Sequence, residues 1–204
     1  MTRKDLIFSL IVGGVSAWLI LIISKNIEIT NSFWQKFWWL TPFLLPVFTA
    51  GSLAIASLVA KKIAVVFQIA KFILVGGLNT LVDLGVLNLL IWFSGINAGW
   101  FYSAFKGISF VVAVVNSYFW NKFWTFRKTE NQDDKIEGGE FIKFFFVSAV
   151  GFVINVGSAS FIVNFIGPLA GFSQNLWANI GALLAGFIGL AWNFLGYKFI
   201  VFKK

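Results

Sequence analysis

The stretch Lys71–Phe93, KFILVGGLNTLVDLGVLNLLIWF, leaves few structures open to this chain. It is long and apolar enough to cross a bilayer as an α-helix, which takes ~20 residues. Yet it holds Asn79, Thr80, Asp83 and Asn88 inside the apolar run. A carboxylate near the middle of a membrane helix costs a few kcal/mol or more, so it faces a partner or a wet cavity. The stretch also has an echo in Lys143–Val163, KFFFVSAVGFVINVGSASFIV. An offset of 72 aligns Lys71 with Lys143, Val75 with Val147, Asp83 with Asn155 and Gly85 with Gly157. A membrane helix is repeated, and the first copy holds the charge.

Composition agrees with a membrane chain. Of 204 residues, 59% are hydrophobic, 19% aromatic and 12% charged, with a mean hydropathy of +0.86. Soluble domains run at roughly 45–50% apolar and about 25% charged. The absence of cysteine and histidine removes disulfides, thiolate chemistry, most zinc sites and any Ser-His or Cys-His catalytic pair. No metal or cofactor is expected. The net charge of +8 sits between apolar spans, which fits topological signals and anionic lipid headgroups rather than nucleic acid.

Six spans are expected, at about Leu6–Ser24, Trp38–Ala60, Lys71–Phe93, Trp100–Trp120, Phe141–Phe165 and Leu176–Phe199. Met1–Asp5 reads as a short tail and Thr129–Glu140, with its five acids, as a solvated loop. Ile63–Ala70 either lies on the membrane surface or extends the third span. The fourth and sixth spans end alike: Lys122–Phe126 (KFWTF) matches Lys198–Phe202 (KFIVF) at an offset of 76. Each repeat is then a helix pair, out and back, and the two copies are parallel. The chain is expected to be an all-α integral membrane protein. Its four-helix core of two parallel two-helix repeats (70–204) follows an N-terminal two-helix extension (1–69). One side of the membrane gathers Arg3, Lys4, Lys61, Lys62, Lys71, Lys122, Arg127, Lys128, Lys135, Lys143, Lys198, Lys203 and Lys204, the other only Lys25 and Lys36. The positive-inside rule puts both termini in the cytoplasm.

Asp83 is the only acid within a span, and either binds substrate or joins helices through neighbouring amides or hydroxyls. Lys106, in the fourth span, either pairs with Asp83 at a similar depth or snorkels to the outer interface. Asn79, Asn116, Asn155, Asn179 and Asn193 are further intramembrane amides, and several will simply join helices. Gly181, Ala182, Ala185, Gly186 and Gly189 suit close helix packing, within the bundle or against a second copy. The cations at the repeat ends, Lys71, Lys122, Arg127, Lys143 and Lys198, are anchors by default and a phosphate-headgroup site in the sharper reading. Of these, Lys122 with Arg127 or Lys71 belongs to the repeat that carries Asp83.

Taken together, FILVGGLNTLVDLGVLNLL, NSYFWNKFWTFRK and the closing WNFLGYKFIVF resemble the GtrA-like family of membrane proteins over roughly Ala70–Lys204. The resemblance implies four helices with cytoplasmic termini and a place in O-antigen, teichoic-acid or other cell-surface glycosylation. It also implies flipping of a polyprenyl-phosphate-linked sugar between leaflets. Asp83, Lys106, Asn79, Asn116, Asn155, Lys71, Lys122 and Arg127 would be the substrate-binding residues. The first 69 residues depart from the family pattern. Two other functions compete with flipping: a non-transporting partner that recruits a membrane glycosyltransferase, and a small exporter driven by protonation of Asp83. An enzyme is least supported, because the spans offer one carboxylate and no histidine or cysteine. The expected partners are the sugar lipid, anionic membrane lipids, a glycosyltransferase and a second copy of the chain.

Overall fold

The structure, a computed structural model, describes residues 1–26, 37–95, 99–127, 138–166, 169, 171 and 174–203. The side chains of Lys106 and Asn179, and the surroundings of Gly186, also lie outside the described part. Among the described residues six α-helices follow one another: α1 (Arg3–Asn26), α2 (Thr41–Val59), α3 (Val65–Ser94), α4 (Gly99–Trp120), α5 (Gly138–Phe161) and α6 (Gln174–Gly196). No strand occurs among the described residues. The chain is an all-α membrane protein. Among the described residues, four segments are long and apolar enough to cross a bilayer: Arg3–Ile23, Trp38–Val59, Val65–Ser94 and Gly138–Asn155. Helices α4 and α6, of 22 and 23 residues, have the length of a span as well.

The chain divides into two compact units, Met1–Gln132 and Asp133–Lys204. In the first, α1 packs on α2 and α3, α2 packs on α3, and α3 packs on α4. Its core gathers Val12, Leu53, Val75, Leu78 and Trp124, with Phe8, Leu19 and Phe67 against them. The outward faces are as apolar as the core, with Phe48 68% exposed and Leu53 fully buried. Lipid tails reward no burial of apolar surface, so packing and polar bonds hold such helices together. Small residues let α1 and α2 approach closely. Ser9, Gly13 and Ala17 lie one turn apart on α1, and a Cβ at Gly13 would fall 2.5 Å from Pro46 Cα of α2. Beside that crossing, the Thr49 hydroxyl donates to the Ser9 carbonyl at 2.8 Å. Helices α1 and α2 thus pack continuously with α3.

Local chemistry sets the helix ends. Thr2 and Asp5 form a reciprocal cap: the Asp5 amide donates to Thr2 Oγ1 (3.2 Å), and the Thr2 amide donates to Asp5 Oδ2 (2.9 Å). Residues 3–5 are therefore helical rather than a tail. Pro42 stands in the first turn of α2, where a lost amide donor matters least. The open choice for Ile63–Ala70 resolves toward extension, since α3 begins at Val65. Gly95 ends α3 in the left-handed region (φ +69°), its amide bonded to the Ile91 carbonyl at 2.8 Å.

The two KF motifs share a backbone form. Asn121–Thr125 after α4 and Tyr197–Val201 after α6 are both single π-helical turns. Each closes with an i→i−5 bond, Phe126 to Asn121 at 2.9 Å and Phe202 to Tyr197 at 2.8 Å. Ring contacts correspond too, with Phe72–Phe126 at 6.1 Å in the first unit and Phe144–Phe202 at 6.0 Å in the second.

The second unit pairs α5 with α6. Tyr197 stacks on Phe144 at 4.1 Å, both buried. Ser148 gives its one proton to the Phe144 carbonyl at 2.8 Å, so the 2.6 Å contact with Tyr197 is donated by the tyrosine. Trp192 Nε1 donates to the Val147 carbonyl at 3.1 Å. Asn193 lies against Gly151, where an added Cβ would meet the end of the asparagine side chain.

Candidate functional site

The seam between α3 and α4 carries the polar groups of the first unit. Asp83 and Asn79 stand one turn apart on α3, hence on one face. Asp83 Oδ1 accepts from the Ser109 hydroxyl at 2.6 Å. Asn79 Oδ1 accepts from Asn116 Nδ2 at 3.4 Å. Both helices are otherwise apolar, so two successive polar pairs bridge them inside lipid-facing segments. Asp83, Asn79 and Asn116 are each partly exposed, while Ser109 is fully buried. The seam therefore has a dry side and an open side. Asn88 turns back to its own helix, donating to the Leu84 carbonyl at 2.8 Å.

Below the seam lies the lysine-bearing end. Asn121, 1% exposed, donates to the Ser117 carbonyl (2.9 Å) and hydroxyl (3.1 Å). Lys122 is buried, its ammonium donating to the Tyr118 hydroxyl at 3.3 Å. Arg127 is half-buried just beyond the π-turn. Lys71 does not stand open to solvent: it forms an ion pair with Asp5 at 2.5 Å and lies 4.6 Å from the Phe67 ring centre. Trp124 Nε1 donates to the same carboxylate oxygen at 3.0 Å.

Of the residues singled out in the sequence, the fold brings Asp83, Asn79 and Asn116 to one seam. Lys71, Lys122 and Arg127 fall toward the other end of the same unit. Asn155 belongs to the second unit, packed against Gly189 of α6, where a Cβ would meet it at 3.2 Å. The Lys106 side chain lies outside the described residues, so the Asp83–Lys106 pairing does too; Ser109, three residues on, is the described partner. Sequence reasoning did not single out Ser109 or Asp5. A lone serine in a helix carries no signal, whereas Thr2-x-x-Asp5 was a readable capping box. Among the described residues no three His, Cys, Asp or Glu side chains gather into a metal-binding group.

A helical, multi-pass architecture with a polar seam inside apolar spans defines an all-α integral membrane protein. The chain belongs to the GtrA/DPMS, transmembrane domain family, which matches residues 71–202. That membership associates it with glycosylation-related processes of lipid-linked sugars, in a family of generally non-enzymatic membrane proteins. The uncharacterized membrane protein YngA of Bacillus subtilis (strain 168) is 30% identical over 124 residues, covering 59% of this chain and 74% of that protein. No solved structure gives a significant match.

Proposed function

We propose that this protein flips a polyprenyl-phosphate-linked sugar across the cytoplasmic membrane for cell-surface polysaccharide glycosylation, making and breaking no covalent bond. The observation that carries the reading is the pair of polar bridges, Asp83–Ser109 and Asn79–Asn116, in spans otherwise facing lipid. A sugar in hydrocarbon needs replacements for its water hydrogen bonds, since each unpaired hydroxyl costs a few kcal/mol. The carboxylate accepts from sugar hydroxyls, and the amides both donate and accept. The isoprenoid tail stays in the bilayer beside the seam's open side. The phosphate begins at headgroup depth, where Lys122 and Arg127 offer a point charge and a bidentate fork. Both termini lie in the cytoplasm, and each helix pair is one copy of a repeat, a reading supported by the π-turns after α4 and α6.

Lipids that co-purify with the protein test this reading. Mass spectrometry should find a polyprenyl-phosphate sugar enriched over its share of the membrane. Recovery of bulk phospholipids alone would overturn it.

A further inference from the structure

Two donor-only groups converge at the lysine-bearing end of the first unit. Lys71 Nζ and Trp124 Nε1 cannot accept a hydrogen bond, and so neither can satisfy the other. Both point at one oxygen, Asp5 Oδ1, at 2.5 and 3.0 Å. The lysine side chain is 13% exposed and Trp124 3%. Phe67 and Phe8 wall the place, the first under the ammonium at 4.6 Å and the second edge-on to Trp124 at 5.9 Å. The other carboxylate oxygen takes the Thr2 amide and hydroxyl, both at 2.9 Å. Every strong contact of Asp5 is thus one that a phosphate oxygen would also make.

The donors and the acceptor come from different parts of the chain. Lys71 and Trp124 lie within the family match at 71–202, while Asp5 lies in the extension before it. The acceptor also rides on the first turn of a helix, the part of an element that opens most readily. We propose that Lys71 and Trp124 form a phosphate-binding cradle that Asp5 occupies as a resident anion, so that the N-terminal arm gates it. The inference rests on the proposed role but concerns the sugar-free carrier: the flipped polyprenyl-phosphate sugar is a phosphodiester, whereas the free polyprenyl phosphate is a monoester. Its ligand class is a phosphate monoester, which carries up to two negative charges at neutral pH against one on a carboxylate. Such a group displaces Asp5 by charge, whereas a singly charged diester competes only on equal terms.

The test uses full-length protein in detergent, with farnesyl phosphate and inorganic phosphate as separate probes. Asp5→Asn keeps the shape and removes the competing charge. It should bind farnesyl phosphate at least tenfold more tightly than wild type, and Asp5→Asn with Lys71→Gln should lose that gain. A gain limited to farnesyl phosphate assigns the cradle to a lipid headgroup; an equal gain for inorganic phosphate assigns it to free phosphate. If Asp5→Asn is less stable, farnesyl phosphate should restore its melting temperature. A variant with neither tighter binding nor ligand-restored stability overturns the cradle, as does a gain that survives Lys71→Gln. Transport by the wild type with no such gain would sink the cradle alone; the gain without transport would sink the flipping role alone.

Discussion

Gly13→Ala should weaken the protein although alanine is the better helix former. The added Cβ would sit 2.5 Å from Pro46 Cα and 2.8 Å from Pro46 N, and closer still to Thr49 Oγ1. Carbon contacts are comfortable at ~3.5–4.0 Å, so α2 must retreat by about 1 Å. A proline backbone in a helix has no rotamer by which to step aside. Such overpacking costs about 1–3 kcal/mol. The retreat also stretches the Thr49–Ser9 bond, worth ~0.6 kcal/mol between membrane helices. Alanine returns ~1 kcal/mol of helix propensity, which leaves a net loss of about 0.6–2.6 kcal/mol. Gly14, the next residue, has nothing within 4 Å of a Cβ. Gly14→Ala should therefore be neutral or stabilise by up to ~1 kcal/mol. Unfolding of purified protein by SDS in mixed micelles, followed by circular dichroism, compares the two. Equal stability for both variants would refute the close α1–α2 crossing.

Asp83→Asn leaves an acceptor for the Ser109 hydroxyl and removes the charge, so assembly should persist while flipping falls at least tenfold; wild-type rates would make Asp83 a helix joiner only. Tyr197→Phe keeps the stack on Phe144 and loses the bond to Ser148, at a cost of ~1 kcal/mol, whereas Tyr197→Ala also empties the stack and should cost ~3 kcal/mol or more in the same unfolding assay. The chain has no cysteine, so Ser94→Cys should label from outside the cell and Lys203→Cys only after permeabilisation; the reverse pattern would invert the proposed orientation. Ser94 serves better than Gly95, whose φ of +69° a side chain would strain.

The helices were legible because span length and lysine punctuation depend on the bilayer rather than on tertiary packing. Asp83, Asn79 and Asn116 were also legible, since each is costly in hydrocarbon whatever its neighbour. Which groups meet was not legible. Ser109 is chemically ordinary, and only the rotation of α4 about its axis makes it the described partner of Asp83. Lys71 shows the same limit from the other side. The positive-inside pattern placed it at a membrane interface, but its occupation by Asp5 depends on α1 packing against α3, sixty-odd residues away in sequence. The π-turns after Trp120 and Gly196 lie on the two matching KF motifs, yet no composition rule announces a turn of that kind.

Flipping by the purified protein is the most direct test of the central claim. Liposomes carrying a fluorescent polyprenyl-phosphate sugar, with and without the protein, would be treated with an impermeant quencher. Random distribution leaves about half of the probe protected in either case, so the probe is first loaded into the outer leaflet alone. Wild-type protein, with no glycosyltransferase present, should move it into the protected leaflet far faster than empty liposomes or the Asp83→Asn variant. Folded wild-type protein that leaves the probe in the outer leaflet would contradict the account.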